Sequence, residues 1–126
     1  MRIERELMRG AGPVAVLKLL EGGEMYGYEL VDALAKRSEG VLAMGQSTLY
    51  PLLYNLESQK FVSSTRREGP NGRTRKYYRL TGRGRTRLDR DVKQWAAVTS
   101  AMNSIGVLTT PRDTHPPLGG CSGACS

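Results

Sequence analysis

Ser47-Thr48-Leu49-Tyr50-Pro51-Leu52-Leu53-Tyr54-Asn55-Leu56-Glu57 is the stretch whose reading decides the fold, together with the two short runs that follow it, Phe61-Val62-Ser63-Ser64-Thr65 and Arg75-Lys76-Tyr77-Tyr78-Arg79-Leu80. Leu49, Leu52, Leu53 and Leu56 recur at the spacing of one apolar helical stripe. At about 100° per residue the opposite face carries Ser47, Tyr50, Pro51, Tyr54, Asn55 and Ser58. A proline inside a helix clashes with the carbonyl four residues back, here that of Ser47. The helix is therefore predicted to start there, with Ser47 as its N-cap. After Glu57 the period changes. Both short runs read as strands, and Glu68-Gly69-Pro70-Asn71-Gly72-Arg73 between them is rich in turn formers, so they form a β-hairpin with a basic tip.

Working outward, Val14 to Leu20 reads as a buried helix with Pro13 at its first position and Gly22-Gly23 at its end. Tyr26 to about Arg37 is a second helix, with Leu30, Val31 and Leu34 on one face. Gly40 and Gly45 bracket a connection to the third. Tyr26 and Tyr28 are read as packing residues. Of Tyr77 and Tyr78, adjacent on a strand, one faces the core. Thr81 caps a last helix. Along it Leu88, Val92, Trp95, Thr99 and Met102 are spaced four, three, four and three apart, a heptad-like seam. Ile105, Val107 and Leu108 carry the apolar character further, and Thr109-Thr110-Pro111 is expected to end the helix. The Pro- and Gly-rich stretch 109–126 is expected to be a disordered tail.

With 126 residues the chain is about one domain long, and its net charge of +7 is unevenly placed. Residues 1–62 carry seven Lys/Arg against eight Asp/Glu, whereas residues 63–93 carry eleven against three. A basic segment of this kind serves a polyanion, most often nucleic acid. No apolar run is long enough to cross a bilayer, and a secretory signal is not expected. The one histidine, His115, excludes mechanisms needing two, and Cys121 and Cys125 sit too near the end to staple a core. A cytoplasmic, reducing compartment follows as the expectation. Paired carboxylates in a plausible cleft, a His-based triad and a usable metal cluster are all missing, so an enzyme is not expected, nor a cofactor. Cys121, Cys125 and His115 supply too few ligands for four-coordinate zinc.

Three helices, a basic hairpin and a longer last helix make an α+β, mostly helical chain: a winged helix-turn-helix with a C-terminal dimerisation helix. Residues 1–81 are the DNA-binding domain, 82–108 the dimerisation helix. In this arrangement the third helix enters the major groove of DNA and the hairpin, or wing, lies on the backbone. Ser47, Thr48, Tyr50, Pro51, Tyr54 and Asn55 are the candidate contacts on the helix; the polar ones among them donate to phosphates or base edges. Arg73, Arg75 and Lys76 are the candidate phosphate contacts on the wing. Arg83, Arg85 and Arg87 stand in the first turns of the last helix, where cations oppose the dipole, and so are expected to lie near a phosphate backbone. A winged-helix module binding RNA or a protein partner is the alternative.

Met25-Tyr26-Gly27-Tyr28-Glu29-Leu30, Ser47-Thr48-Leu49-Tyr50-Pro51-Leu52-Leu53, Leu56-Glu57 and Gly72-Arg73-Thr74-Arg75-Lys76-Tyr77-Tyr78-Arg79-Leu80-Thr81 occur in order with fitting gaps. The stretch from about Val14 to Leu88 resembles the PadR family of bacterial transcriptional regulators. The resemblance implies a cytoplasmic, nucleoid-associated homodimer that binds a palindromic operator in double-stranded DNA and acts as a repressor. With a single helix after the wing, the chain resembles the short-tailed subfamily, whose last helix pairs with the partner's first helix. The subfamily includes members that hold a small planar apolar effector between two tryptophans. The matching residue is Trp95, with Val92, Thr99, Leu7 and Val14 as its implied neighbours. A tryptophan on a heptad seam also serves dimer packing. The family often has Gly between third helix and wing, whereas this chain has Lys60. A positive φ there is costly for any other residue.

Overall fold

The computed structural model describes residues 1–108 and contains four helices and three strands among them. In chain order these are α1 (Arg5–Glu21), β1 (Met25–Tyr26), α2 (Gly27–Arg37), α3 (Gln46–Ser58), β2 (Val62–Glu68), β3 (Thr74–Leu80) and α4 (Gly82–Ser104). The chain divides into two units between Asp91 and Val92. The first holds α1 to β3 and the start of α4. The described part of the second is the rest of α4 and the turn to Leu108.

In the first unit the helices bury one shared core. Val16, Leu17 and Leu20 of α1, Leu30 and Leu34 of α2, and Leu49, Leu53 and Leu56 of α3 are all buried. Phe61, Val62, Tyr78 and Leu88 close it from the wing side. Leu52 is only half-buried at the edge of the α3 stripe.

Two helix starts differ from the sequence reading. α1 begins at Arg5, so Pro13 lies inside the helix instead of opening it. The carbonyl that Pro13 leaves without an N–H is that of Arg9, an exposed residue, where water can take the place of the missing donor. α3 begins at Gln46, and its N-cap is Gly45 instead of Ser47. Gly45 is extended, and its carbonyl accepts from the amides of Thr48 and Leu49. Pro51 therefore also sits within a helix, and the carbonyl it deprives belongs to exposed Ser47.

Helix ends follow one rule. The residue after each C-cap has positive φ: Gly23, Glu39, Lys60 and Gly106. At the α3 end Lys60 N–H donates to Glu57 and Phe61 N–H to Leu56, and Phe61 and Leu56 are both buried. This is the Schellman arrangement, built on a lysine with φ 69°. Lys60 thus takes the positive φ that Gly often supplies in the family, within a regular Schellman turn. At the far end Gly106 makes the same turn, so α4 stops there and not at Thr109-Thr110-Pro111.

The sheet is antiparallel in the order β1-β3-β2. Val62 pairs with Leu80 and Glu68 with Thr74, and β1 adds Met25 opposite Tyr78 and Tyr26 opposite Tyr77. The two-residue β1 has no signal in the sequence, because it is too short to show alternation. Beyond Thr65 every residue of β2 is exposed, so the hairpin leaves the core as a projecting wing. The Thr81 hydroxyl accepts from the Gly84 amide, as a capping residue should, and lies 2.7 Å from the Lys60 carbonyl. α4 is thereby latched to the corner between α3 and β2.

Candidate nucleic-acid interface

The outward side of α3 presents Ser47, Thr48, Tyr50, Pro51, Tyr54 and Asn55, all exposed. Tyr54 is 75% exposed and Tyr50 43%, so neither belongs to the core. The wing stands beside them. One cleft is lined by Tyr26, Tyr28, Gln46, Tyr50, Arg73, Arg75, Lys76 and Tyr78, among others. It adjoins a second, lined by Tyr50, Pro51, Tyr54, Asn55, Lys76 and Tyr78. Seven of the nine candidate contacts thus surround two adjoining clefts. Ser47 and Thr48 open instead onto a groove shared with Arg2, Arg5 and Arg9.

Tyr50 takes its position from Gly27. A Cβ at Gly27 would meet the Tyr50 ring and hydroxyl at 2.6 Å, so the ring rests on bare backbone at the start of α2. On the wing, the Arg75 guanidinium lies 4.4 Å over the Tyr26 ring, Tyr26 meets Tyr77 edge-on at 5.5 Å, and Arg67 lies 4.0 Å over Tyr77. This row of cations and rings stiffens one face of the hairpin. On the other face the Lys76 ammonium lies 3.3 Å from the Glu57 carboxylate, which also accepts from the Ser64 hydroxyl at 2.5 Å. The Ser64 hydrogen bond, helped by Lys76, holds the Glu57 carboxyl below the usual carboxylate range. Burial pushes the Tyr78 phenol up. The side chains of Arg66 and Arg73 have no ion-pair or hydrogen-bond partner among the described residues.

A polar helix face beside a basic, aromatic cleft is chemistry for a phosphate backbone and base edges. The sequence matches the PadR-like family of transcriptional regulators over residues 16–90. The chain belongs to that family. It is similar to a PadR-family transcriptional regulator of Eggerthella lenta, with 35% identity, a TM-score of 0.70, and coverage of 82% of this chain and 88% of that one. A Streptococcus transcriptional regulator is 32% identical with a TM-score of 0.71, covering 81% and 98%. A PadR-like regulator of Bacillus cereus is 27% identical with a TM-score of 0.70, covering 79% and 95%. This PadR-like chain is accordingly a transcriptional regulator with the DNA-binding winged-helix fold, and not an enzyme.

One side chain in the PadR-like chain needs a new reading. Tyr28 is 61% exposed, not packed in the core. It stands about 160° from Leu30 on the helical wheel, a signal the sequence offered. Tyr26, by contrast, is half-buried against Tyr77, as expected. Of the arginines opening α4, Arg83 donates to the Gln59 carbonyl, Arg87 pairs with Asp91 and Arg85 approaches Glu21. Each has a partner within the chain, so no phosphate is required to account for them. The sequence gives no signal for Arg2, Arg5 and Arg9, which alternate with acids in a segment that is not basic overall.

Val92, Trp95 and Thr99 share one face of α4 and are exposed, Val92 at 46% and Trp95 at 41%. Leu7 is exposed on α1 and Val14 is half-buried there. No helix among the described residues is long and apolar enough to cross a membrane. No metal-binding cluster of three or more His, Cys, Asp or Glu occurs among the described residues. His115, Cys121, Cys125 and the expected tail lie outside them.

Proposed function

We propose that this PadR-like chain is a homodimeric repressor of bacterial transcription. It binds a palindromic operator in double-stranded DNA. α3 enters the major groove with Ser47, Thr48, Tyr50, Pro51, Tyr54 and Asn55, and Arg73, Arg75 and Lys76 of the wing neutralise phosphates. Residues 1–81 form the DNA-binding domain and 82–108 the dimerisation helix. The observation that carries this reading is the single surface on which the polar face of α3 and the basic wing meet.

Dimerisation is supported by the seam on α4. Leu88 is buried, but Val92, Trp95 and Met102, in the same heptad register, are exposed at 46%, 41% and 39%. An open apolar stripe of this spacing suits a partner helix. A two-fold dimer presents two copies of α3, which a palindrome matches. Release by a small planar apolar effector at Trp95, with Val92, Thr99, Leu7 and Val14 around it, completes the proposal.

Fluorescence anisotropy on the protein's own upstream intergenic DNA, against scrambled DNA at several salt concentrations, tests it. The expected result is selective binding, two chains per site and a steep salt slope. Equal, weak binding to both duplexes refutes it. Flat apolar compounds screened in the same assay should lower the affinity of the wild type and not of Trp95→Ala.

A further inference from the structure

Glu57 is an acid on the edge of a surface built for a polyanion. It lies on α3 seven residues beyond Tyr50, on the side of the helix that faces the wing. Its carboxylate holds both wing strands: Ser64 of β2 at 2.5 Å and Lys76 of β3 at 3.3 Å. Lys76 lines both clefts. β3 is also held by its short pairing with β1, whereas β2 is exposed from Thr65 onward, and a two-stranded ribbon beyond that point is only marginally stable. Among the described residues the two Glu57 contacts are the side-chain hydrogen bond and the ion pair that join α3 to the wing strands, so they help set the angle between the two. The carboxylate also offsets the Lys76 charge. Charge on the wing attracts DNA of any sequence, whereas α3 reads the bases.

We infer that Glu57 is a positioning residue that sets DNA specificity: by holding Ser64 and Lys76 it fixes the wing against α3 and restrains charge-driven binding to unrelated DNA. This rests on the DNA-binding reading above. A purely structural Glu57 would weaken all binding when removed. The role inferred here makes removal strengthen binding to the wrong DNA.

The test uses two fluorescent duplexes: one enriched by the wild type from a random pool, and its scrambled counterpart. Glu57→Gln frees the Lys76 charge. It should bind the scrambled duplex about five- to eightfold tighter per chain at 0.10–0.15 M salt, because one more released counterion steepens the salt slope by about 0.9. Because that charge acts on any sequence, the enriched duplex gains from it too; the lost wing position should make its gain smaller, so the preference falls. Glu57→Gln combined with Lys76→Gln should restore the wild-type salt slope but not the preference. Ser64→Ala keeps the carboxylate and removes one anchor. It should lower the preference at unchanged slope, and it carries the test if Glu57→Gln does not melt cooperatively. Equal weakening on both duplexes, or an unchanged preference in a selective protein, overturns the inference alone. A wild type that enriches no duplex overturns the DNA-binding reading and this inference with it.

Discussion

Gly27→Ala separates the position of one α3 side chain from the stability of the fold. The new Cβ would stand 2.6 Å from the Tyr50 ring carbon and hydroxyl, nearly an ångström inside ordinary contact. The obstacle is the far end of a side chain that is 43% exposed, so the ring can swing into solvent. Replacing Gly by Ala at a helical position contributes about 0.5–1 kcal/mol. Displacing the ring costs a similar amount in lost contacts, so stability should change by less than about 1 kcal/mol. DNA binding should suffer, because Tyr50 leaves the wall shared by the two clefts. One lost hydrogen bond of about 0.5–1.5 kcal/mol corresponds to a roughly two- to twelvefold weaker Kd per chain. Anisotropy on the operator gives the affinity, and a urea melt the stability. Unchanged affinity in a variant whose Tyr50 has moved would refute the placement of Tyr50 at the DNA. A stability loss above about 2 kcal/mol would refute the claim that the ring yields.

Gly84→Ala should behave in the opposite way. Its Cβ would fall 1.9 Å from the Phe61 carbonyl oxygen, which is backbone and cannot step aside, so a thermal melt should show a loss of at least about 1–3 kcal/mol. Lys60→Gly relieves a φ of 69° in the turn that ends α3, and should raise stability by about 1 kcal/mol in the same melt. Trp95→Asp places a charge on the exposed α4 seam; sedimentation should find monomers with unchanged helical circular dichroism, and persistent dimers would place the interface elsewhere. Because the Glu57 carboxyl is held below its ordinary 4.5, its contribution to stability is present above that pH and lost as the pH falls through the lowered value. Melting temperature plotted against pH should therefore be flatter for Glu57→Gln over the acid range.

The legible parts of the fold were those in which one residue type repeats at a fixed spacing. The leucines of α3 announced both its buried stripe and, by subtraction, its outward face. Thr81 and Gly22-Gly23 announced a cap and a stop. Boundaries set by one backbone bond were not legible. Pro13 and Pro51 both argued for a helix start, yet both sit inside helices whose deprived carbonyls belong to exposed residues. A sequence does not show which carbonyls water can reach. The site divides in the same way. The polar face of α3 and the basic wing were readable from spacing and charge. The Glu57–Ser64–Lys76 link was not, since its members are seven and twelve residues apart and meet only across the angle between α3 and the wing.

That link bears on what the basic segment is worth to DNA. Counted along the sequence, residues 63–93 hold eleven cations and three acids. In the fold, acids from the first half of the chain come to meet them: Glu24 pairs with Arg67, Glu57 with Lys76, and Glu21 approaches Arg85. Arg87 is taken by Asp91 within α4. Solvent screens exposed pairs of this kind, so they do little to hold the fold. Their larger effect is on the free charge, because a cation already facing a carboxylate releases less counterion when a phosphate arrives. Arg73 at the wing tip and Arg66 on β2 have no such partner among the described residues, and Arg75 rests on a ring that leaves its charge intact. The salt dependence of binding should accordingly count these unpaired cations. It should fall well short of the slope that eleven basic residues would give.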